Sequence, residues 1–311
     1  MDFELDDDQQ AIMEAVGSLL AQRAGAARAV ELGREGKYDG ELEAALDEAG
    51  FLDVALADET GMLEAVLVTE AVAAAAGVAA VGEASIVAPG LLGERPAGAV
   101  AVVCAGAGEL VRFAAHARTL LVDRGDTASR VDLSPVANES VRSNFMVPVA
   151  RVDVDSLEGE SLGTGSGATL RRYWRLAIAA ECAGLMSAAL DLTVAYTKER
   201  RQFGRAIGSF QALQHRLAYC KVAVEATRWL TYEAAASDAD AEKTALAAAY
   251  AADAAQQLFV ETHQITGAMG YTREHDLHVF SMRLRPLMLA LGGASAHARA
   301  ATGARWLDGA G

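Results

Sequence analysis

Alanine and leucine fill the apolar positions of Asp8 to Ala24, Gly40 to Ala49 and Met62 to Ala76, with few β-branched runs, a pattern that predicts three helices. Gly50, Gly61 and Gly77 punctuate this region. Val72 to Val81 is apolar but short, and is expected as a buried helix. The texture then changes: Val100 to Val103, Thr119 to Val122 and Val147 to Val154 are β-branched runs between Gly, Asp and Ser turns, which predicts strands. From Gly167 the pattern is helical again. Ala168 to Arg200 contains no proline, and Tyr173, Trp174, Ile178, Leu185, Met186 and Leu190 surround much of its circumference, so this helix is expected to be mostly buried. Ser209 to Ala236 and Ala241 to Thr266 follow, then shorter helices after Glu274 and around Ser295 to Leu307.

At 311 residues the chain can bury a substantial core and hold two or three domains. Its formal charge of -15 argues against general nucleic-acid binding, which needs a basic face, but leaves room for small anions held by local charge. No apolar run of membrane-spanning length is expected, and no basic-then-apolar leader is visible. Cys104, Cys182 and Cys220 are widely spaced and form no zinc pattern, so they are expected as free thiols in a reducing cytoplasm.

Against that acidic background, Arg200, Arg201 and Arg205 make a positive island around Phe203 and Gly204, with Gln211 seven residues after the glycine. Guanidinium forks bind phosphate oxygens, glycine admits close backbone approach, and the glutamine amide can donate to the same oxygens, so the island suits a diphosphate. A solvated helix C-terminus, which favours arginine through the helix dipole, is the competing reading.

Arg200-x-x-Phe203-Gly204 with Gln211, followed by Gln264-Ile265-Thr266-Gly267-Ala268-Met269-Gly270-Tyr271, resembles the C-terminal helical domain of acyl-CoA dehydrogenases. Phe3-Glu4-Leu5-Asp6-Asp7-Asp8-Gln9-Gln10 resembles that family's first helix. The resemblance implies a mainly α fold with a reduced β-domain: an N-terminal helical domain (1–92), a small middle β-domain (93–162) and a C-terminal four-helix bundle (163–311). It also implies FAD as cofactor, with Arg200, Phe203, Gln211, Gln264 and Gly267 as binding residues for a flavin held mainly by a neighbouring subunit. The middle segment is short for the family. It lacks the Thr-Glu-x-x-x-Gly-Ser loop and the Trp-Ile-Thr-Asn-like strand that pack on the flavin ring, and Cys104 to Glu109 is expected as a simple turn.

Desaturating an acyl thioester needs a carboxylate beside the α-carbon, and burial can raise a glutamate pKa toward the useful range. The two positions where the family places this base correspond here to the Leu291-Gly292-Gly293 turn and to Trp174, neither acidic. Glu181, two turns beyond Trp174 on nearly the same helix face, is the remaining catalytic candidate. A buried structural partner for an arginine such as Arg175 or Arg216 is the reading favoured over catalysis. His275 and His278 read as neighbours on one helix face with capping or packing roles. Arg283 and Arg285 read as solvated residues before a helix end at Pro286.

Half a site retained and half lost resembles the smaller subunit of heteromeric (α2β2) bacterial steroid side-chain acyl-CoA dehydrogenases. The implied partners are a second acyl-CoA dehydrogenase-like subunit, a bulky acyl-CoA substrate and an electron-transfer flavoprotein. A self-sufficient homo-oligomeric enzyme using Glu181, and a non-catalytic scaffold, stand as alternatives.

Overall fold

The computed structural model describes residues 5–134, 136 and 139–306. Four helices open the chain: α1 (Asp7–Arg23), α2 (Ala26–Glu35), α3 (Gly40–Glu48) and α4 (Met62–Ala74). Asp6 closes a capping box with Gln9 at the start of α1, and Asp39 accepts from the Leu42 N–H at the start of α3. Phe3 and Glu4 of the predicted first-helix motif lie outside the described residues. The expected helix over 72–81 does not form as one piece. It ends at Ala74, Ala76 turns left-handed (φ 58°), and the chain re-enters helix as a π turn, Glu83–Val87, running into α5 (Ala88–Leu92). Gly77 is needed at this bend, because a Cβ there would stand 2.5 Å from Val72 and 2.9 Å from Leu42.

The middle region holds more strands than the β-branched runs predict. Strands β1 (Val100–Cys104), β3 (Thr119–Asp123), β4 (Thr127–Asp132) and β7 (Glu160–Thr164) form one sheet in the order β1-β3-β4-β7. The β1/β3 pair is parallel and the others antiparallel. Strands β2 (Leu110–Arg112), β6 (Val149–Arg151) and β5 (Glu139–Val141) form a second. Of the expected strand over 147–154 only Val149–Arg151 pairs; the chain then turns through Val154–Ser156. Residues 104–109 form the expected turn between β1 and β2. Strand β7 runs past residue 162 to pair Thr164 with Thr127, so the sheet continues to the threshold of the next helix.

The bundle consists of α6 (Ser166–Glu199), α7 (Gln211–Ala236), α8 (Ala241–Thr266), α9 (Leu277–Leu289) and α10 (Gly293–Trp306), with a two-residue hairpin, β8 (Arg201–Gln202) and β9 (Arg205–Ala206), between α6 and α7. Among the described residues, α6 alone is long and apolar enough to cross a membrane, yet 67% of its most apolar window is buried inside the protein. Its apolar circumference packs on α4, α7, α8 and α9. Gly184 sets the closest seam: a Cβ there would stand 2.2 Å from the Glu70 carbonyl oxygen of α4. One core joins the N-terminal helices to the bundle, and a smaller one fills the space between the two sheets. Pro286 lies inside α9 rather than ending it, and Arg283 is buried, 5% exposed, against the expectation of a solvated residue.

Candidate functional site

Four charged side chains from four segments meet where the second sheet faces α6 and α9. Arg112, the last residue of β2, donates from Nη2 to Glu181 Oε2 on α6 at 2.8 Å and stands 3.8 Å from Glu83 Oε1 in the π turn. Glu181 is therefore an arginine partner, but of Arg112 on the β-domain; Arg216 pairs instead with Glu261 on α8. Arg283 donates from Nη1 to the Gly77 carbonyl at 2.9 Å. Burial dominates the electrostatics. It pushes the Glu83 carboxyl up to about 7, with the Arg112 charge opposing and the Glu181 charge reinforcing the shift, and it pushes Arg283 down to about 10, with the Arg112 charge adding to it. Glu83 is 5% exposed, and its Oε2 has no hydrogen-bond partner.

Glu83 and Arg112 of this cluster floor an open cleft of about 1100 Å³. Val102, Val103, Leu110, Trp174, Leu287 and Leu291 supply apolar wall, and Glu83 and Arg112 are the charged residues at its surface. Trp174 and Leu291, the two positions where sequence reading finds the base missing, thus face the same space. A pocket of about 440 Å³ adjoins it, lined by Glu181, Arg283, Thr69 and Gly82. Glu83 went unrecognised in the sequence. Its signal was the one that singled out Glu181: an acid within a short apolar run, Val78 to Val87.

The arginine turn lies elsewhere. Arg200 caps α6, donating its N–H to the Tyr196 carbonyl at 2.9 Å, while its own carbonyl accepts from the Ile207 N–H at 2.8 Å. Phe203 (φ 54°) and Gly204 (φ 78°) are the central residues of the β8–β9 hairpin, both left-handed as the tightest hairpin turn requires. The hairpin holds Phe203 90% exposed, and Arg205 stacks over the Phe210 ring at 4.0 Å. Gln211 opens α7, whose N-terminus has no side-chain cap. Among the described residues, neither Arg200 nor Arg201 has an acidic group within 4 Å. Gln264 is exposed in the last turn of α8, and Gly267 caps that helix (φ 59°). The following loop is tied to the end of α6 by the edge-on Tyr196–His275 contact at 5.7 Å between ring centroids.

Arg200, Phe203 and Gln211 therefore share one connection between α6 and α7, with Gln264 and Gly267 at the C-terminal end of α8, whereas Glu181 does not join them. It precedes Arg200 by nineteen residues of a continuous helix, about 28 Å at the α-helical rise. Unpaired guanidiniums, an uncapped helix start, and open space around Gly204 and Gly267, where a Cβ would meet nothing within 4 Å, fit the diphosphate of a dinucleotide cofactor such as FAD. His275 lies in the turn before α9 rather than on it. Its Nδ1 accepts from the Leu277 N–H at 3.2 Å, and His278 Nδ1 lies 3.0 Å from the His275 carbonyl oxygen, so the two histidines organise the helix start.

The family described as "Acyl-CoA dehydrogenase, C-terminal domain" matches residues 170–307. Acyl-CoA dehydrogenase IpdE2 of Mycobacterium tuberculosis is 30% identical over 298 residues, spanning 89% of this chain and 91% of that protein. Other curated relatives are matched over only 34% and 29% of their own length. Among solved structures, a chain of the ChsE4-ChsE5 complex from Mycobacterium tuberculosis superposes with a TM-score of 0.83 at 24% identity, over 96% of this chain and 97% of that one. A chain of the Tcur3481-Tcur3483 steroid ACAD, G363A variant, superposes with 0.80 at 24% identity, over 98% and 99%.

Proposed function

Because the chain belongs to the acyl-CoA dehydrogenase family, we propose that it is the flavin-completing subunit of a heteromeric dehydrogenase that desaturates a bulky, steroid-like acyl-CoA at its α,β-bond. The observation that carries this reading is the separation, along one continuous helix, of the acid-lined cleft from the outward-facing arginine turn. A single copy with that geometry offers its cationic turn to a cofactor seated on another subunit. Two neighbours in fold are named as complexes of two differently named chains, one of them a steroid enzyme, which supports the heteromeric form and the substrate class.

FAD, when bound, supplies the hydride acceptor. Arg200 and Gln211 would hold its diphosphate by charge-assisted and amide hydrogen bonds, Phe203 would cover it with an aromatic face, and Gln264 and Gly267 would meet it from the C-terminal end of α8. Glu181 is already engaged by Arg112 in an ion pair at 2.8 Å. The base is accordingly assigned to the partner subunit, whose identification as a dehydrogenase-like chain, with an electron-transfer flavoprotein as acceptor and a cytoplasmic setting, belongs to the same reading. A second reading, a self-sufficient homo-oligomer using Glu181, rests on that residue lining the pocket beside the cleft.

Flavin absorbance and solution mass of the purified chain, alone and co-expressed with the neighbouring dehydrogenase-like gene product, separate these readings. Flavin only in the mixed complex, about one per pair, is expected; flavin on the chain alone favours the homo-oligomer. With Glu181→Gln, unimpaired turnover in an intact complex places the base on the partner.

A further inference from the structure

Away from both regions, three arginines and a histidine from separate segments line one pocket of about 340 Å³: Arg34 on α2, Arg142 at the end of β5, Arg273 in the turn after α8, and His278 in the first turn of α9. Ser143 and Asn144 add a hydroxyl and an amide, and among the described residues no acid lines the pocket. Among the described residues, none of the three arginines has an ion-pair or hydrogen-bond partner. The chain carries 42 acidic against 27 basic residues, so an unpaired group of this kind runs against its overall electrostatics.

The pocket is assembled by close packing. Gly33 lets α2 approach the 142–146 loop; a Cβ there would stand 3.0 Å from the Met146 side chain and 3.4 Å from its Cα. Met146 is left-handed (φ 58°), and the Ser143 hydroxyl accepts from the Phe145 N–H at 3.0 Å, which shapes the loop carrying Arg142. With His278 Nδ1 engaged by the His275 carbonyl, Nε2 remains as its second polar atom.

We infer that this pocket is a binding site for a phosphate monoester. Guanidinium groups brought to one pocket from three separate segments match a tetrahedral dianion. The group has two sources, the 3′-phosphate of coenzyme A or free phosphate. Neither requires FAD or a partner, so this inference stands or falls separately from the flavin-sharing role.

The test is calorimetric titration of the full chain with inorganic phosphate, coenzyme A and dephospho-coenzyme A at fixed ionic strength, repeated with Arg142→Gln/Arg273→Gln and with Arg34→Gln, each variant checked for an unchanged melting temperature. Saturable phosphate binding that weakens about tenfold or more in the variants is expected. A preference for coenzyme A over dephospho-coenzyme A that disappears in the variants identifies the 3′-phosphate as the source; equal affinity for these two, with inorganic phosphate still bound, identifies free phosphate. Absence of binding by phosphate and coenzyme A alike, or binding unchanged in both variants, overturns the site.

Discussion

The cleft and the arginine turn stand at opposite ends of the same run of α6, and they treat charge in opposite ways. In the cleft, Arg112 lies between Glu83 and Glu181, and Arg283 is tied to a backbone carbonyl. At the turn, Arg200 and Arg201 face outward without acids, beside a helix start without a cap. Burial compels a charge to find its partner within the molecule, because an uncompensated buried ion costs several kcal/mol. Exposure makes no such demand. In the cleft both acids thus meet an arginine of the same chain, with Glu83 Oε2 and two nitrogens of Arg283 left unpaired, whereas Arg200 and Arg201 at the turn meet no acid among the described residues.

The largest test of that contrast is Arg112→Met, which leaves the Glu181 carboxylate without its ion-pair partner. A loss of about 3–5 kcal/mol in urea unfolding is expected; a loss below about 1 kcal/mol, the range of exposed pairs, would erase the distinction between the regions. Next comes pH. The folded Glu83 carboxyl holds its proton up to about 7, above the ordinary glutamate value of 4.5. Between those values the unfolded chain has released a proton that the folded chain keeps, so stability falls as pH rises through that window and levels off above it. Glu83→Gln should remove as much as about 3 kcal/mol of that decline, read as the difference between the two stability-against-pH curves.

Gly184→Ala probes the α4–α6 seam beneath the cleft, where its methyl would overlap the Glu70 carbonyl. Chemical denaturation should show a cost of about 1–3 kcal/mol. The smallest stability effect belongs to the turn. Arg200→Ala should leave unfolding within about 0.5 kcal/mol of the parent, yet weaken flavin retention by the heteromeric complex about tenfold, the worth of one charge-assisted contact. Unchanged flavin occupancy would break the assignment of the turn to the cofactor.

Local features were well read in advance. The limits of α8, Ala241–Thr266, coincide with the expected ones, because a run of alanines bounded by Asp240 and Gly267 carries its own start and stop. The arginine turn was legible for the same reason: its functional candidates lie within twelve residues of chain, Arg200 to Gln211, and the positive φ of Phe203 and Gly204 belongs to a two-residue hairpin. The strands β2 and β5 were missed. Each is three residues long and exists only through its pairing with β6, a contact that no local periodicity announces.

By itself, then, the sequence determined the helix, sheet, helix order, the family, and the cationic turn that suits a diphosphate, since each depends on residues close together in the chain. The tertiary structure alone decided which acids became a cluster. Arg112 meets Glu181 across 69 residues, Arg283 reaches Gly77 across 206, and Glu83 enters the same floor from a π turn that begins beyond the helix expected over 72–81. The reason is physical. A buried charge is settled by whichever partner the packing of α4, α6, α9 and the second sheet delivers, and that choice is made in space rather than along the chain.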